Sequence, residues 1–366
     1  MTYKPGHIAL FTVNIAFIFL MAVPYSHGIL PENWSPEEPF AKTNPESTPT
    51  PALESASTNR HPALHIDGQY LREKGRGNIL QIARYRNDVT LELPVFKQSC
   101  LFLTKNSWQE NTFYDRKTHG ADGMTLTFNS SFNNDISGEA SWTTKKYDGN
   151  DFKDIVSGYC RLLLNLSDRT DATVGFERAE EIYNYFGMQQ GLQSDNFWLF
   201  LSSDITSKFE LNGLVKYINY NDDNEGFAAR AAAGYAFTDY PRVFKVSLSA
   251  EYRDTRANFL AIYYDDFTFL AYIFHPYWCA WNYTAETLTL EWNHDISQAL
   301  PLSGRKHYYV LKASFTLDSE NNPAGEFQGK WRCELGDHWS AGATAMIYRS
   351  ELWNGEGAFA ELNYRF

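Results

Sequence analysis

Along much of this chain, apolar and polar residues change places at every second position. In "VFKVSLSAEYR", Phe244, Val246, Leu248, Ala250 and Tyr252 fall on one side, and Lys245, Ser247, Ser249, Glu251 and Arg253 on the other. "GEFQGKWRCEL" sets Phe327, Trp331, Cys333 and Leu335 against Glu326, Gln328, Lys330, Arg332 and Glu334. "HYYVLKASFTL", "HWSAGATAMIY", "SKFELNGLVKY" and "YTAETLTLEWNHDI" repeat the pattern, and the chain stops in it, at "GEGAFAELNYRF". A period of two is the signature of a strand with two unlike faces. No helical period is sustained, so the segments dictate a sheet.

Two details decide which sheet. Aromatics stand near the strand ends of the apolar face: Tyr217, Tyr252, Trp292, Trp339 and Tyr364. The opposite face carries both charge signs with Ser, Thr, Asn and Gln, which a packed interior does not tolerate but a hydrated lumen does. Composition agrees. The chain holds 26 Phe, 23 Tyr and 10 Trp at a mean hydropathy of −0.43, as expected where apolar side chains point outward and polar ones inward. "FNNDISG", "TDYPR" and "LGDHW" read as tight turns, and "NYNDDNEG", "DSENNPAG" and the run after Arg253 as loops. The expectation is an all-β fold: a transmembrane, antiparallel, up-and-down β-barrel of about 14–16 strands, counted from about Asn78. A closed barrel satisfies every backbone hydrogen bond inside a bilayer without leaving an edge.

Three regions follow. Residues 1–28 read as a signal peptide: Lys4, an apolar run from Ile8 to Val23, then Ser26 and Gly28 before a cleavage point. Residues 29–60 are a Pro-, Ser- and Thr-rich linker expected to be disordered. Residues 61–366 form the barrel. This predicts export to the bacterial outer membrane, with the lipid bilayer as one partner. The terminal strand should pair with the first, with Leu362 and Phe366 facing out and Glu361, Asn363 and Arg365 facing in. Phe366 is expected to present the chain to the barrel-assembly machinery. Cys160 and Cys333 fall on apolar faces and should point at lipid.

A net charge of −12 argues against a nucleic-acid partner. GxSxG, HExxH and P-loop signatures are missing, and His275, His294, His307 and His338 show no catalytic spacing, so no catalysed reaction is expected. Pro62 argues against a helix aligning His61 with His65, and Asp222, Asp223 and Glu225 lack EF-hand spacing, so neither metal nor cofactor is expected. The candidate site is the lumen-facing set: Lys245, Glu251, Arg253, Glu291, Tyr308, Lys312, Lys330, Arg332, Tyr348, Glu361 and Arg365, with Lys208, Glu210, Lys216, Arg230 and Glu334 on the same parity. Such a face suits polyhydroxylated sugars, whose rings stack on aromatics while hydroxyls exchange water for polar groups. The same groups could instead pair with one another and brace the wall.

Within residues 205–366, "LVKYINYNDDNEGFAARAAAGYAFTDYP" and "AYIFHPYWCAWNYTAETLTLEWNHDIS" resemble the barrel portions of outer-membrane exporters of exopolysaccharide, those passing cellulose or poly-N-acetylglucosamine. The aromatic-His-Pro-aromatic patch, Tyr283 and the run Glu291-Trp292-Asn293-His294 carry the resemblance. It implies a channel for saccharide chains in exopolysaccharide or surface-glycan export, with a polysaccharide as partner. One departure stands out: exporters of that kind usually carry a long tetratricopeptide superhelix ahead of the barrel, where this chain has the linker of residues 29–60. A general or oligosaccharide uptake porin is the alternative. A structural barrel or a lipid-modifying enzyme is a further one.

Overall fold

The structure is a computed structural model that describes residues 61–74, 81–96, 98–112, 115–149, 152–181, 185–257, 261–264, 271–274, 280–297, 306–350 and 354–366. The signal-peptide and linker readings, Cys279 and the aromatic-His-Pro-aromatic patch lie outside these residues.

The strands are β1 (Ala63–Lys74), β2 (Gln81–Phe96), β3 (Ser99–Thr112), β4 (Thr118–Ser131), β5 (Ile136–Tyr147), β6 (Ile155–Ser167), β7 (Thr170–Glu180), β8 (Gln193–Asp204), β9 (Phe209–Tyr220), β10 (Glu225–Ala236) and β11 (Arg242–Thr255). After a hairpin of β12 (Ala261–Tyr264) and β13 (Ala271–Phe274) come β14 (Tyr283–Asp295), β15 (His307–Asp318), β16 (Pro323–Glu334), β17 (Trp339–Ser350) and β18 (Asn354–Arg365). A short helix, α1 (Tyr185–Gln190), lies between β7 and β8. All strands but β12 and β13 form one closed barrel in which sequence neighbours pair antiparallel. The seam is β1 on β18, from Ala63↔Arg365 to Lys74↔Asn354, so the ring has no open edge.

The first strand therefore precedes Asn78, where the sequence reading began its count. Its alternation is faint because Gly68 occupies an outward position and Leu71 an inward one. The barrel has sixteen strands. At ~4.8 Å strand spacing and a tilt near 40°, that gives a barrel radius of about 16 Å. A ring of this size is too wide for side chains alone to fill.

One end of the barrel carries the turns 132–135, 168–169, 205–208, 237–241 and 335–338, of which the first and the last two are the tight turns expected from the sequence. Reversals at the other end include 148–154, 181–192 and 256–282. In this class of fold, short turns mark the periplasmic end and long connections the outer one. "NYNDDNEG" and "DSENNPAG" reach the outer end but shrink to 221–224 and 319–322, because strand pairing extends to Tyr220 and Asp318.

The outward face forms a belt. Exposed Leu199, Val215, Leu248, Leu288, Leu290, Phe315 and Phe327 lie along it. Tyr217 and Tyr252 border it toward the outer end, and Trp292, Trp339 and Tyr364 toward the turns. Strand tilt shows in the register. Following hydrogen-bonded outward neighbours from β11 around to β5 gives Arg242, His294, Tyr309, Trp331, Ala343, Ala360, Gly68, Asn87, Ser107, Asp122 and Lys146. The row runs polar, aromatic, small or apolar, and polar again. It climbs across the belt because the hydrogen-bond direction is inclined to the barrel axis.

Leu362 and Phe366 are exposed on the outer side, while Asn363 and Glu361 reach inward to His65 and Arg332. Cys160 is exposed on the outward face of β6. Cys333 corrects the sequence reading. It shares the outward side with Trp331, yet it is 3% exposed beside His307, packed at the turn end rather than presented to lipid.

Candidate functional site: the barrel lumen

The inward face is a polar wall knitted by short hydroxyl side chains. Thr90 meets Thr104 at 2.9 Å, Thr125 meets Thr143 at 2.8 Å, Thr127 meets Ser141 at 2.8 Å and Thr287 meets Thr316 at 2.9 Å, each across adjacent strands. Such cross-strand pairs fix register while leaving a surface that water wets.

The candidate residues fall on this wall. Lys245 of β11 meets Glu210 of β9 at 2.5 Å, spanning β10, where Gly234 leaves room: a Cβ there would lie 2.8 Å from the Lys245 stem. Glu251 and Arg253 pair with each other. Arg332 of β16 reaches Glu361 of β18 at 3.6 Å, over Gly342 of β17. Glu291 lies between Lys245 and Lys312 in the register of β11, β14 and β15. Lys330 stands opposite Val310, one inward step from Arg332. Among the described residues, Lys216, Lys312 and Lys330 make no ion pair, so their ammonium groups are left to water or a solute. Tyr348 is half-buried on the wall of β17, whereas Tyr308 is 5% exposed, buried in the wall of β15. Arg365 is exposed at the turn end. Lys208 is the one candidate outside the wall: it sits in the turn 205–208 and pairs with Asp239 at 3.2 Å.

The wall of β1 to β8 contributes as much and was not singled out from the sequence. His65 lies between Asn363 at 2.6 Å and Glu92 at 3.2 Å. Arg86 pairs with Asp88 at 2.8 Å, and Arg161 with Glu139 at 3.0 Å. The signal was present in "QIARYRNDVTLEL", where Arg84, Arg86, Asp88, Thr90 and Glu92 alternate with Tyr85, Val89 and Leu91, interrupted only by Asn87.

Near the outer end, this half of the lumen is also capped. Phe152, from the 148–154 connection, and Met188, from α1, pack with Ile82, Trp108, Ala121, Tyr147 and Ile155 in one buried cluster. Tyr185 closes it, 5.7 Å from the Phe152 ring and 6.3 Å from the His119 ring. Trp108 fits because Gly123 of β4 has no side chain; a Cβ there would fall 2.8 Å from the indole. Beneath the cap sits a buried charge cluster. The Lys145 ammonium donates to Glu110 at 2.7 Å and to Glu180 at 2.6 Å, and the Tyr147 hydroxyl donates to Glu110 at 2.8 Å. Lys145 is 3% exposed and Glu110 1%. The same ammonium lies 5.3 Å from the Trp108 ring and 4.9 Å from that of Tyr147, within cation–π range. Glu180 ends β7, so Lys145 ties the foot of the α1 segment to the wall. A helix as short as α1 leaves no periodic trace, and the 35-residue gaps from Lys145 to its two partners hide the cluster from a linear reading.

Outside the spanning strands, Asp115 accepts from the Thr112 hydroxyl, from the Lys117 amide at 3.0 Å and from His119 at 2.9 Å. Burial alone would raise its pKa, but these donors hold the carboxyl below its ordinary value. Among the described residues, no group of three or more His, Cys, Asp or Glu side chains could hold a metal ion.

No protein-family model matches the chain, and no curated protein matches it in sequence. Among solved structures, one described as a bacterial polysaccharide outer membrane secretin superposes with a TM-score of 0.62 at 11% identity, over 84% of this chain and 99% of that one. Pseudomonas aeruginosa OccK7 (OpdD) matches at a TM-score of 0.42 and 8% identity, over 84% of this chain and 98% of its own. OccK5 (OpdH) of the same organism matches at 0.39 and 9%, again over 84% and 98%. The first likeness is one of fold, and the other two are too slight to weigh. A closed barrel, an outward apolar belt and a polar lumen define a membrane-spanning β-barrel and point to the bacterial outer membrane.

Proposed function

We propose that the chain is an outer-membrane channel through which saccharide chains leave the cell, in exopolysaccharide or surface-glycan export. The observation that carries this reading is the lumen itself. Sixteen strands enclose more space than their side chains fill, and the wall offers hydroxyls, amides and both charge signs rather than an apolar core. Many of the wall's charges are paired within or across strands, so much of the surface offers hydroxyls and neutralised charge, which suits neutral, hydroxyl-rich solutes. Lys216, Lys312 and Lys330, together with Tyr348, are the groups best placed to contact them. The fold shared with a polysaccharide secretin is in keeping with this role, and the resemblance of residues 205–366 to exopolysaccharide exporters supports it. No chemical step is proposed; selection rests on width, hydration and contact.

The test is reconstitution in planar bilayers. An open channel conducts ions, and linear oligosaccharides added on the turn side interrupt the current more than equal amounts of monosaccharide do. A barrel that passes no current is a structural one. A barrel blocked only from the loop side, by short oligosaccharides, is an uptake porin. Either result would overturn the export reading.

A further inference from the structure

The outward face carries charge where the belt ends. Following hydrogen-bonded outward neighbours from Val246 gives Leu290, Ala313, Phe327 and Ile347, then Glu356 and Arg72. The neighbouring row from Leu248 gives Leu288, Phe315 and Gly325, then Arg349. Arg349, Glu356 and Arg72 thus sit side by side on β17, β18 and β1, directly above apolar surface at the loop end. Two guanidiniums share one carboxylate: Arg72 Nη1 lies 3.4 Å from Glu356 Oε1, and Arg349 Nη2 lies 3.7 Å from Glu356 Oε2. Neither pair has the short bidentate geometry of a closed ion pair. Arg349 is anchored through Nη1 to the carbonyls of Tyr348 and Gly355 at 2.8 and 2.9 Å. That anchoring holds its Nη2 edge in place beside Glu356. The side chains of Arg349 and Arg72 remain 52% and 42% exposed. Tyr70 donates to Glu356 at 3.4 Å and packs against Tyr85 with ring centroids 5.0 Å apart and the planes tilted by 40°, an aromatic surface below the charges.

We infer that this trio is a binding site for the phosphate headgroup of an outer-leaflet lipid, with the phosphate bridging Arg72 and Arg349 and the acyl chains lying on Tyr70, Ile347 and Phe327. The chemistry follows from three facts. The site faces lipid and not the lumen. It lies at headgroup height, just beyond the belt. It sets two planar, weakly hydrated cations suited to phosphate oxygens around one carboxylate. Other outward acids at the loop border are spread elsewhere: Glu225 on β10, Asp254 on β11 and Glu286 on β14. The outward cations Lys146 and Arg178 at the same border each face a single acid, Asp122 and Asp195, so two guanidiniums around one carboxylate set this trio apart from them. Glu356 holds the two cations apart and competes with the phosphate, so it tunes the site rather than making it. This inference rests on the barrel spanning a membrane with its loop end outward, and not on what passes through the lumen.

The experiment compares lipid retention by the full chain extracted in a non-ionic detergent, read by native mass spectrometry. The probes are a doubly phosphorylated lipid A, the same lipid dephosphorylated, and inorganic phosphate. The wild type is expected to retain the phosphorylated lipid, and Arg72→Gln/Arg349→Gln to lose about tenfold or more of that retention. Glu356→Gln should retain the lipid at least as well as the wild type, an outcome that a merely structural ion-pair network would not give. The dephosphorylated lipid should not distinguish the variants, and millimolar phosphate should not displace the bound lipid. Equal retention by wild type and double variant would overturn the assignment, as would loss of lipid in Glu356→Gln equal to that in the double variant. Displacement by inorganic phosphate would show an anion site and not a lipid site. If the double variant does not fold, Glu356→Gln and the two probe lipids still decide the matter.

Discussion

Replacing Lys145 by Met should be the most damaging single lumen substitution. Methionine keeps most of the side-chain volume, so what is lost is the charge. Glu110 would remain 1% exposed with its carboxylate deprived of the ammonium 2.7 Å away, retaining the Tyr147 hydroxyl as a donor and Arg84, its partner in the β2–β3 register, as the remaining nearby cation. Removing one partner from a buried pair costs about 3–5 kcal/mol where the other charge is left alone, and with Arg84 still facing Glu110 the loss should lie near the lower end of that range. Glu180 suffers less, being 20% exposed and able to turn toward solvent. The double variant Lys145→Met/Glu110→Gln removes both charges and keeps an acceptor for Tyr147. Most of the loss should return, a coupling of at least about 2 kcal/mol in the double-mutant cycle. Lys105→Met is the control: that ammonium lies 3.2 Å from Asp122, but the two side chains are 61% and 63% exposed, so the change should stay within about 1 kcal/mol. Urea unfolding of the barrel in detergent, followed by tryptophan emission, measures all three. The single variant should also raise open-channel conductance and current noise, since Lys145 tethers the foot of the α1 segment through Glu180. Equal midpoints for Lys145→Met and Lys105→Met, or no recovery in the double variant, would refute this account of the cap.

Other consequences follow from the same geometry. Leu248 is 63% exposed in the middle of its row between Leu211 and Arg349, so Leu248→Arg should cost about 2–4 kcal/mol of folding free energy in bilayers. The same change at lumen-facing Ser249 should cost under about 1 kcal/mol, and Leu362→Arg, nearer the turn-side border, should fall between the two. Asn363→Asp should be mild because the new charge faces His65, 2.6 Å from the present amide oxygen; bilayer refolding titrations rank all four. Cys160 should react with a membrane-soluble maleimide in intact proteoliposomes, whereas buried Cys100 and Cys333 should react only after unfolding. Asp115 is held below its ordinary pKa, so its contribution is complete above the unfolded value near 4 and is lost as pH falls through the lower folded value. Amide exchange around residues 115–119 should accelerate below about pH 4 in the wild type, and that step should vanish in Asp115→Asn.

Period-two alternation tells which side of a strand a residue occupies, and for β11 and β14 to β18 it did so almost without error. Lys245, Glu251, Glu291, Lys312, Lys330, Arg332, Tyr348 and Glu361 all lie on the lumen side where parity puts them. Parity carries no information on where a strand ends, which is why Lys208 reads as wall and lies in a turn. Nor does it carry depth within a face, which is why Cys333 reads as lipid-facing and is buried against His307. The β2 to β4 wall was harder to read because Asn87, Lys105 and Asp122 stand on its outward side. They do not break the barrel logic; strands there run beyond the belt.

Height along the barrel axis is the quantity that a single strand does not encode. It belongs to the register, since each step to a hydrogen-bonded neighbour on an inclined strand also moves along the axis. Arg242 and Lys146 lie on one hydrogen-bonded row and yet at opposite borders of the belt. Once the rows are known, functional surfaces separate by height as well as by face. Lys145 and Glu110 are lumen residues at the cap, Lys312 and Lys330 lumen residues of the open wall, and Arg72 and Arg349 lipid-side residues at headgroup level. Charged side chains thus end in three different surroundings, set by where closure of the sheet carries them.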